Sequence, residues 1–326
     1  MSLKDEQSSL AVSKGPGNGR HQIILTVDVE DWFQVENFRQ IIHPSSWSTF
    51  EPRVERNTHR LLELFSEVKL SSTSQESNYV IRPDDPNPST RTPLPGIKAT
   101  FFILGWVAER MPQLVREIHS LGHEVASHGF NHELTVNCRH EELKKDIEGS
   151  KKLLEDIIGG AVYGYRAPNF SINTDLLKLV EDCGLQYDSS YNSFSANSRY
   201  GKVDLSRNGN AGIAKKITDG FYELPISNVE LAGLVLPAGG GGYFRLYPLH
   251  LFSLGVKAML RKQSAYMFYM HPWEIDPQQP RMKEASTLSR FRHYVNLDRT
   301  MDKLSDLISE FSSCGFPTCR QHLNGF

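Results

Sequence analysis

The 326-residue sequence has no excess of either charge. It carries 36 Lys and Arg against 38 Asp and Glu, a formal net charge of −2. That balance leaves no basic footprint of the kind that binds nucleic acid. No run of about 18 apolar residues occurs, so no transmembrane helix is expected. Residues 1–20 are polar and lack the apolar centre of a signal peptide. They read as a disordered leader, and a cytoplasmic location is expected. Cysteine is scarce: Cys138, Cys183, Cys314 and Cys319 are the four, with no Cys-x-x-Cys spacing. Free thiols in a reducing compartment are therefore expected, not a disulfide framework. No internal repeat is found.

What is present is ordinary for a globular protein: 39% hydrophobic and 23% charged residues, in a chain long enough for one large core. Apolar, β-branched runs at 22–29, 97–104, 123–127, 162–165, 185–187, 221–226 and 265–270 read as strands. Helical spacing marks 54–68, 107–121, 141–158, 174–182 and 298–311. Strand and helix alternate, which implies a parallel α/β sheet and a barrel with its site at the C-terminal ends of the strands. Residues 69–96 form a Ser- and Pro-rich insertion inside a single domain spanning 21–326. The polar stretch 192–219 carries no clear period, and 239–242 reads as a four-glycine loop.

Polar clusters follow the strands: Asp28, Glu30 and Asp31; His128 and His132; Arg166; Asp188; His271. Singly, each has an ordinary reading as a cap, a surface ion pair, a turn or a loop. Five clusters at five strand ends point to one site. Two histidines four residues apart, read as one helical turn, can meet a single metal ion. A catalytic metal needs a third ligand, usually a carboxylate, and the cluster at 28–31 offers one.

Ser127-His128-x-x-x-His132, Ala99-Thr100-Phe101-Phe102 and Arg166-Ala167-Pro168 make the sequence resemble the polysaccharide deacetylase family, carbohydrate esterase family four. The likeness runs over about residues 22–311. Within the family it resembles the branch associated with bacterial exopolysaccharide and exosortase loci, through its Asp-Val-Glu-Asp opening. The resemblance implies an irregular (β/α)7 barrel and a divalent metal, usually zinc, held by two histidines and a carboxylate. It also implies removal of N-acetyl groups from an amino-sugar-containing polysaccharide or its precursor, with an N-acetylated glycan as partner. By motif, Asp28 is the catalytic base and His128 and His132 are metal ligands. Arg166 orients the base, the Asn169 N–H serves the oxyanion, and His271 is the general acid, paired with Asp188. One motif departs from the family. Its second Asp, a metal ligand, falls on Val29, which cannot bind metal. Alternation along an extended chain puts Glu30 on the side of Asp28; Asp31 is the other option. Tyr243 and Trp273 are candidates for stacking on a sugar. The altered motif keeps open a hydrolase of another non-peptide C–N bond, such as a cyclic amide, that can dispense with metal. It also keeps open a non-catalytic glycan-binding protein. The sequence does not set the oligomeric state.

Overall fold

The structure is a computed structural model that describes residues 21–68, 79–80, 92–93, 96–135, 138–194, 200–206 and 208–325. The leader at 1–20 and most of the insertion at 69–96 lie outside the described residues. In chain order the strands are β1 (Gln22–Val29), β2 (Tyr79–Val80), β3 (Thr92–Pro93), β4 (Thr100–Ile103), β5 (Glu124–Ser127), β6 (Gly164–Tyr165) and β7 (Tyr187–Asp188). They continue with β8 (Gly209–Ala211), β9 (Ala214–Thr218), β10 (Phe221–Glu223), β11 (Asn228–Leu231), β12 (Leu234–Pro237) and β13 (Ala265–Met270). The helices are α1 (Val54–Glu67), α2 (Gly105–Arg110), α3 (Pro112–Ser120), α4 (His140–Ile158), α5 (Thr174–Asp182), α6 (Gly241–Leu246), α7 (Leu249–Gln263), α8 (Thr287–Tyr294), α9 (Thr300–Glu310) and α10 (Cys319–Leu323).

Nine strands form one sheet in the order β13-β1-β4-β5-β6-β7-β10-β9-β8. The pairings from β13 to β10 are all parallel, so the sheet has the seven parallel strands expected of the barrel. β9 and β8 extend it antiparallel, within the stretch that carried no sequence period. Loop backbone and a side chain meet the free edge of β13. Ser227 Oγ accepts from Met267 N at 2.9 Å, and Gly239 O accepts from Tyr269 N at 2.8 Å. The barrel is irregular because a loop stands where a strand would close it.

Side-chain alternation sorts the strands into two cores. From β1, Ile23, Leu25, Val27 and Val29 join the larger core under the helices, whereas Ile24 joins the inner one with Phe102, Ala126, Tyr187 and Met267. Thr26 and Asp28 share the face of Ile24, so polar groups line the inner face towards the strand's end. Val29 belongs to the outer core, which is why a hydrophobic residue suits it.

Some elements differ from the expectation in detail. The helix expected over 107–121 breaks at Met111 (φ −129°, ψ 55°), because Pro112 restricts the residue before it and donates no hydrogen bond. Of the glycine loop expected at 239–242, Gly241 and Gly242 open α6 and Gly240 precedes it in an extended conformation. α7 was not among the expected helices, although Phe252, Val256, Met259 and Leu260 line its buried face at helical spacing. The four cysteines are free thiols. No helix among the described residues is long and apolar enough to cross a membrane.

Candidate metal centre and active site

The parallel strands all point their C-terminal ends to one side, and the polar clusters gather there. Asp28 lies near the end of β1, with Glu30 just past it. His128 follows β5, Arg166 follows β6, Asp188 and Glu223 end β7 and β10, and His271 follows β13.

Glu30, His128 and His132 form a buried group whose ligand atoms lie within 4.8 Å of one another. His128 Nδ1 sits 2.8 Å from the Arg166 carbonyl oxygen. A carbonyl only accepts, so Nδ1 carries the proton and Nε2 keeps its lone pair. Burial lowers the His128 pKa to about 4, against the opposing pull of Asp28, which favours the neutral imidazole a metal ligand needs. His132 Nε2 stands 2.6 Å from Glu30 Oε2. That approach makes no hydrogen bond of acceptable geometry, and Oε2 has no hydrogen-bond partner among the described residues. Buried polar atoms left unpaired are costly, of order 1–3 kcal/mol each. A cation between facing donor atoms removes that cost, so the three residues fit a divalent ion. Burial pushes the Glu30 pKa up, but His132 and His271 outweigh it and hold it at about 2.

Asp31, the other option for third ligand, is engaged elsewhere. Its carboxylate accepts from the backbone N–H groups of Trp32, Arg53 and Val54 at 2.8, 2.6 and 2.9 Å, and so ties β1 to the start of α1. The two histidines share no helical turn either. They flank an irregular loop with Gly129 at φ +73° and His132 at φ +55°. A Cβ at Gly129 would stand 2.8 Å from Asp146 Oδ2. Asp146, on α4, accepts from Phe130 N at 2.6 Å and Asn131 N at 3.0 Å, which fixes the loop that carries both imidazoles.

Asp28 accepts from Arg166 Nη1 at 2.6 Å, and both side chains are buried. Arg166 also donates to Thr26 Oγ1, Ser189 O and Ser189 Oγ, and its guanidinium lies 4.0 Å over the Phe102 ring. So many fixed contacts leave the Asp28 carboxylate one orientation.

His271 does not pair with Asp188. Its Nδ1 meets Glu274 Oε1 at 2.7 Å, and its Nε2 faces Glu30 Oε1 at 3.4 Å and Asp28 Oδ2 at 4.0 Å. Burial would lower its pKa, but Glu30, Glu274 and Asp28 outweigh burial and raise it to about 9. Glu274 Oε2 accepts from Arg245 Nε at 2.8 Å, and Arg245 donates onward to the carbonyls of His293, Val295 and Arg292. Gly241 packs so closely here that a Cβ would stand 2.3 Å from Glu274 Oε1. Asp188 pairs with Glu223 instead. Burial raises both carboxyls, because two adjacent buried charges are disfavoured.

Asn169 is half-buried with φ +54° in the turn after Arg166. Tyr243 is half-buried on α6, against Phe194 and Tyr247. Trp273 is not an open sugar platform. It is 6% exposed, with its ring stacked between His271 at 5.2 Å and His293 at 4.2 Å.

Sequence reasoning missed Arg245, Glu223 and Asp146, and it gave Glu274 no role. Glu274 alone had a local signal, since a carboxylate three residues after His271 can reach back to cap it. The others arrive from distant elements.

The comparisons agree with this geometry. Residues 95–187 match the family described as polysaccharide deacetylase, and residues 189–323 match a domain of unknown function, DUF3473. Over 89 residues the chain is 34% identical to a peptidoglycan-N-acetylglucosamine deacetylase of Bacillus cereus, covering 27% of this chain and 41% of that protein. Over 131 residues it is 28% identical to a chitooligosaccharide deacetylase of Sinorhizobium fredii, covering 38% and 61%. The matched part thus spans less than two thirds of either relative. The fold is similar to a solved structure from Mycobacterium smegmatis assigned as a polysaccharide deacetylase, with TM-score 0.58, 18% identity and coverage of 98% and 94%. It is also similar to Puue allantoinase, with TM-score 0.55, 13% identity and coverage of 99% and 97%. Over residues 95–187 the chain thus matches the polysaccharide deacetylase family, the one its sequence motifs resemble.

Proposed function

We propose that the chain is a metal-dependent hydrolase that removes N-acetyl groups from an amino-sugar-containing polysaccharide or its precursor. One observation carries this reading: Glu30, His128 and His132 converge beside the Asp28–Arg166 pair and His271. A divalent cation, with zinc favoured by two imidazoles and one carboxylate, would be held by those three residues and would supply an acidified water and a polarised acetamide carbonyl.

The protein's own groups do the rest. Asp28, oriented by Arg166, takes a proton from the attacking water. The Asn169 N–H donates to the oxygen on which charge develops. Glu274 engages the Nδ1 of His271 and favours its charged form, so Nε2 can deliver the proton to the departing amine. The deacetylases of peptidoglycan and chitooligosaccharide among the relatives support an N-acetylglucosamine-type substrate.

The test is acetate release from N-acetylglucosamine oligomers before chelation, after chelation and after zinc is restored. The reading expects activity that is lost with the metal and recovered with zinc. Full release by a metal-free protein would overturn it in favour of a metal-independent amide hydrolase.

A further inference from the structure

A cavity of about 390 Å³ is lined by Arg281, Lys283, Arg290, Phe291 and Tyr294 among others. Its walls are held in place. The Tyr294 hydroxyl accepts from Met282 N at 2.8 Å and donates to Pro280 O at 2.9 Å, tying the preceding loop to α8. Ser286 caps the start of α8 through its hydroxyl. The Arg281 guanidinium lies 4.4 Å over the Tyr294 ring, which leaves its N–H edge available. None of the ion pairs among the described residues takes up Arg281, Lys283 or Arg290. Glu284 is the carboxylate that bears on Tyr294, against both Arg281 and Arg290. Phe291 is 54% exposed. Three cations therefore surround an exposed ring in a protein whose net charge is −2.

The cavity belongs to the same end of the barrel as the metal-binding group. Tyr294 touches Phe38 and His293, and His293 stacks on Trp273, which stacks on His271. Arg39, next to Phe38, pairs with Glu133, the neighbour of His132. The linking rings of Trp273 and His293 are buried, so a substrate that engages both His271 and α8 would span them over the surface.

We propose that this cavity is a subsite for a negatively charged group of the substrate, a carboxylate or a phosphate carried near the acetylated sugar. Arg281 and Arg290 hold the anion, and Phe291 packs on the apolar face of a sugar ring. The proposal rests on the deacetylase reading and adds the substrate's charge to it.

The test uses the full chain and the double variant Arg281→Ala with Arg290→Ala. Three compounds are compared: a neutral N-acetylglucosamine tetramer, an alternating glucuronate–N-acetylglucosamine tetramer, and uridine diphosphate N-acetylglucosamine. Acetate release gives kcat and KM, and calorimetry gives binding independently of turnover. The wild type is expected to prefer one anionic compound. The double variant should raise its KM and its Kd about tenfold and leave the neutral tetramer within about twofold. A preference for the uronate tetramer identifies a carboxylate subsite, and a preference for the nucleotide sugar identifies a phosphate subsite. A wild type with no anionic preference, or a double variant that binds all three compounds like the wild type or weakens all three equally, overturns the proposal. If no compound releases acetate, the deacetylase reading fails and calorimetry alone decides the subsite.

Discussion

At the scale of single residues, Val29 and Glu30 are one position apart, and strand alternation decides which can meet an ion. Val29 packs into the core under the helices, while Glu30 turns to the histidines. The same alternation was readable in the sequence, so Glu30 could be preferred there over Asp31. What separates the two is a contact 22 residues away, where Asp31 ties down the start of α1; no local pattern announces it. The partner of His271 was likewise hidden. Asp188 was expected, but it is spent on Glu223, and the carboxylate that reaches His271 is Glu274. Glu274→Gln is expected to lower kcat at least about tenfold, because His271 loses the charge that keeps it protonated. It should also cost about 3 kcal/mol of stability, since it leaves the buried Arg245 without its counter-charge. Steady-state kinetics and urea unfolding check the two effects separately.

At the scale of elements, the histidine loop shows how a motif can be right and its geometry wrong. The spacing of His128 and His132 suggested a helical turn, yet two positive-φ residues make the loop irregular, and Asp146 from α4 holds it. Asp146→Ala should weaken metal binding roughly tenfold or more while leaving every ligand in place, a loss a competitive zinc chelator titration would measure. A variant that binds metal as the wild type does would show that the loop holds itself. The strands of the barrel were legible because buried parallel strands are continuous apolar runs. The short antiparallel strands β8 and β9 were not, because their exposed faces are polar and their period is brief. The break between α2 and α3 had its signal in Pro112.

At the scale of the whole molecule, the site draws on three stretches of chain. Asp28 and Glu30 precede the deacetylase match, His128, His132 and Arg166 lie within it, and His271, Glu274 and Arg245 lie in the DUF3473 match. β13 pairs with β1 over six residues and buries Tyr266, Met267, Phe268 and Met270. Four such side chains contribute roughly 2 kcal/mol each, comparable with the net stability of about 5–15 kcal/mol of a typical domain. A chain ended after Asp188 should therefore fail to fold cooperatively, which circular dichroism on heating would reveal. Acid should weaken the whole fold through His123. Its Nδ1 accepts from Ala99 N at 3.2 Å, and burial lowers its pKa from 6.5 to about 4. The unfolded chain takes up a proton there below about pH 6.5 and the folded chain does not. Stability is thus lost as pH falls from 6.5 towards 4, by up to about 3 kcal/mol, and His123→Asn should flatten that slope in urea titrations. Metal analysis of purified wild-type and Glu30→Ala chains asks whether Glu30 replaces the missing acidic ligand of the family motif. Close to one zinc per wild-type chain is expected, and almost none in the variant at unchanged circular dichroism. A folded Glu30→Ala chain that keeps its full complement of metal would contradict it.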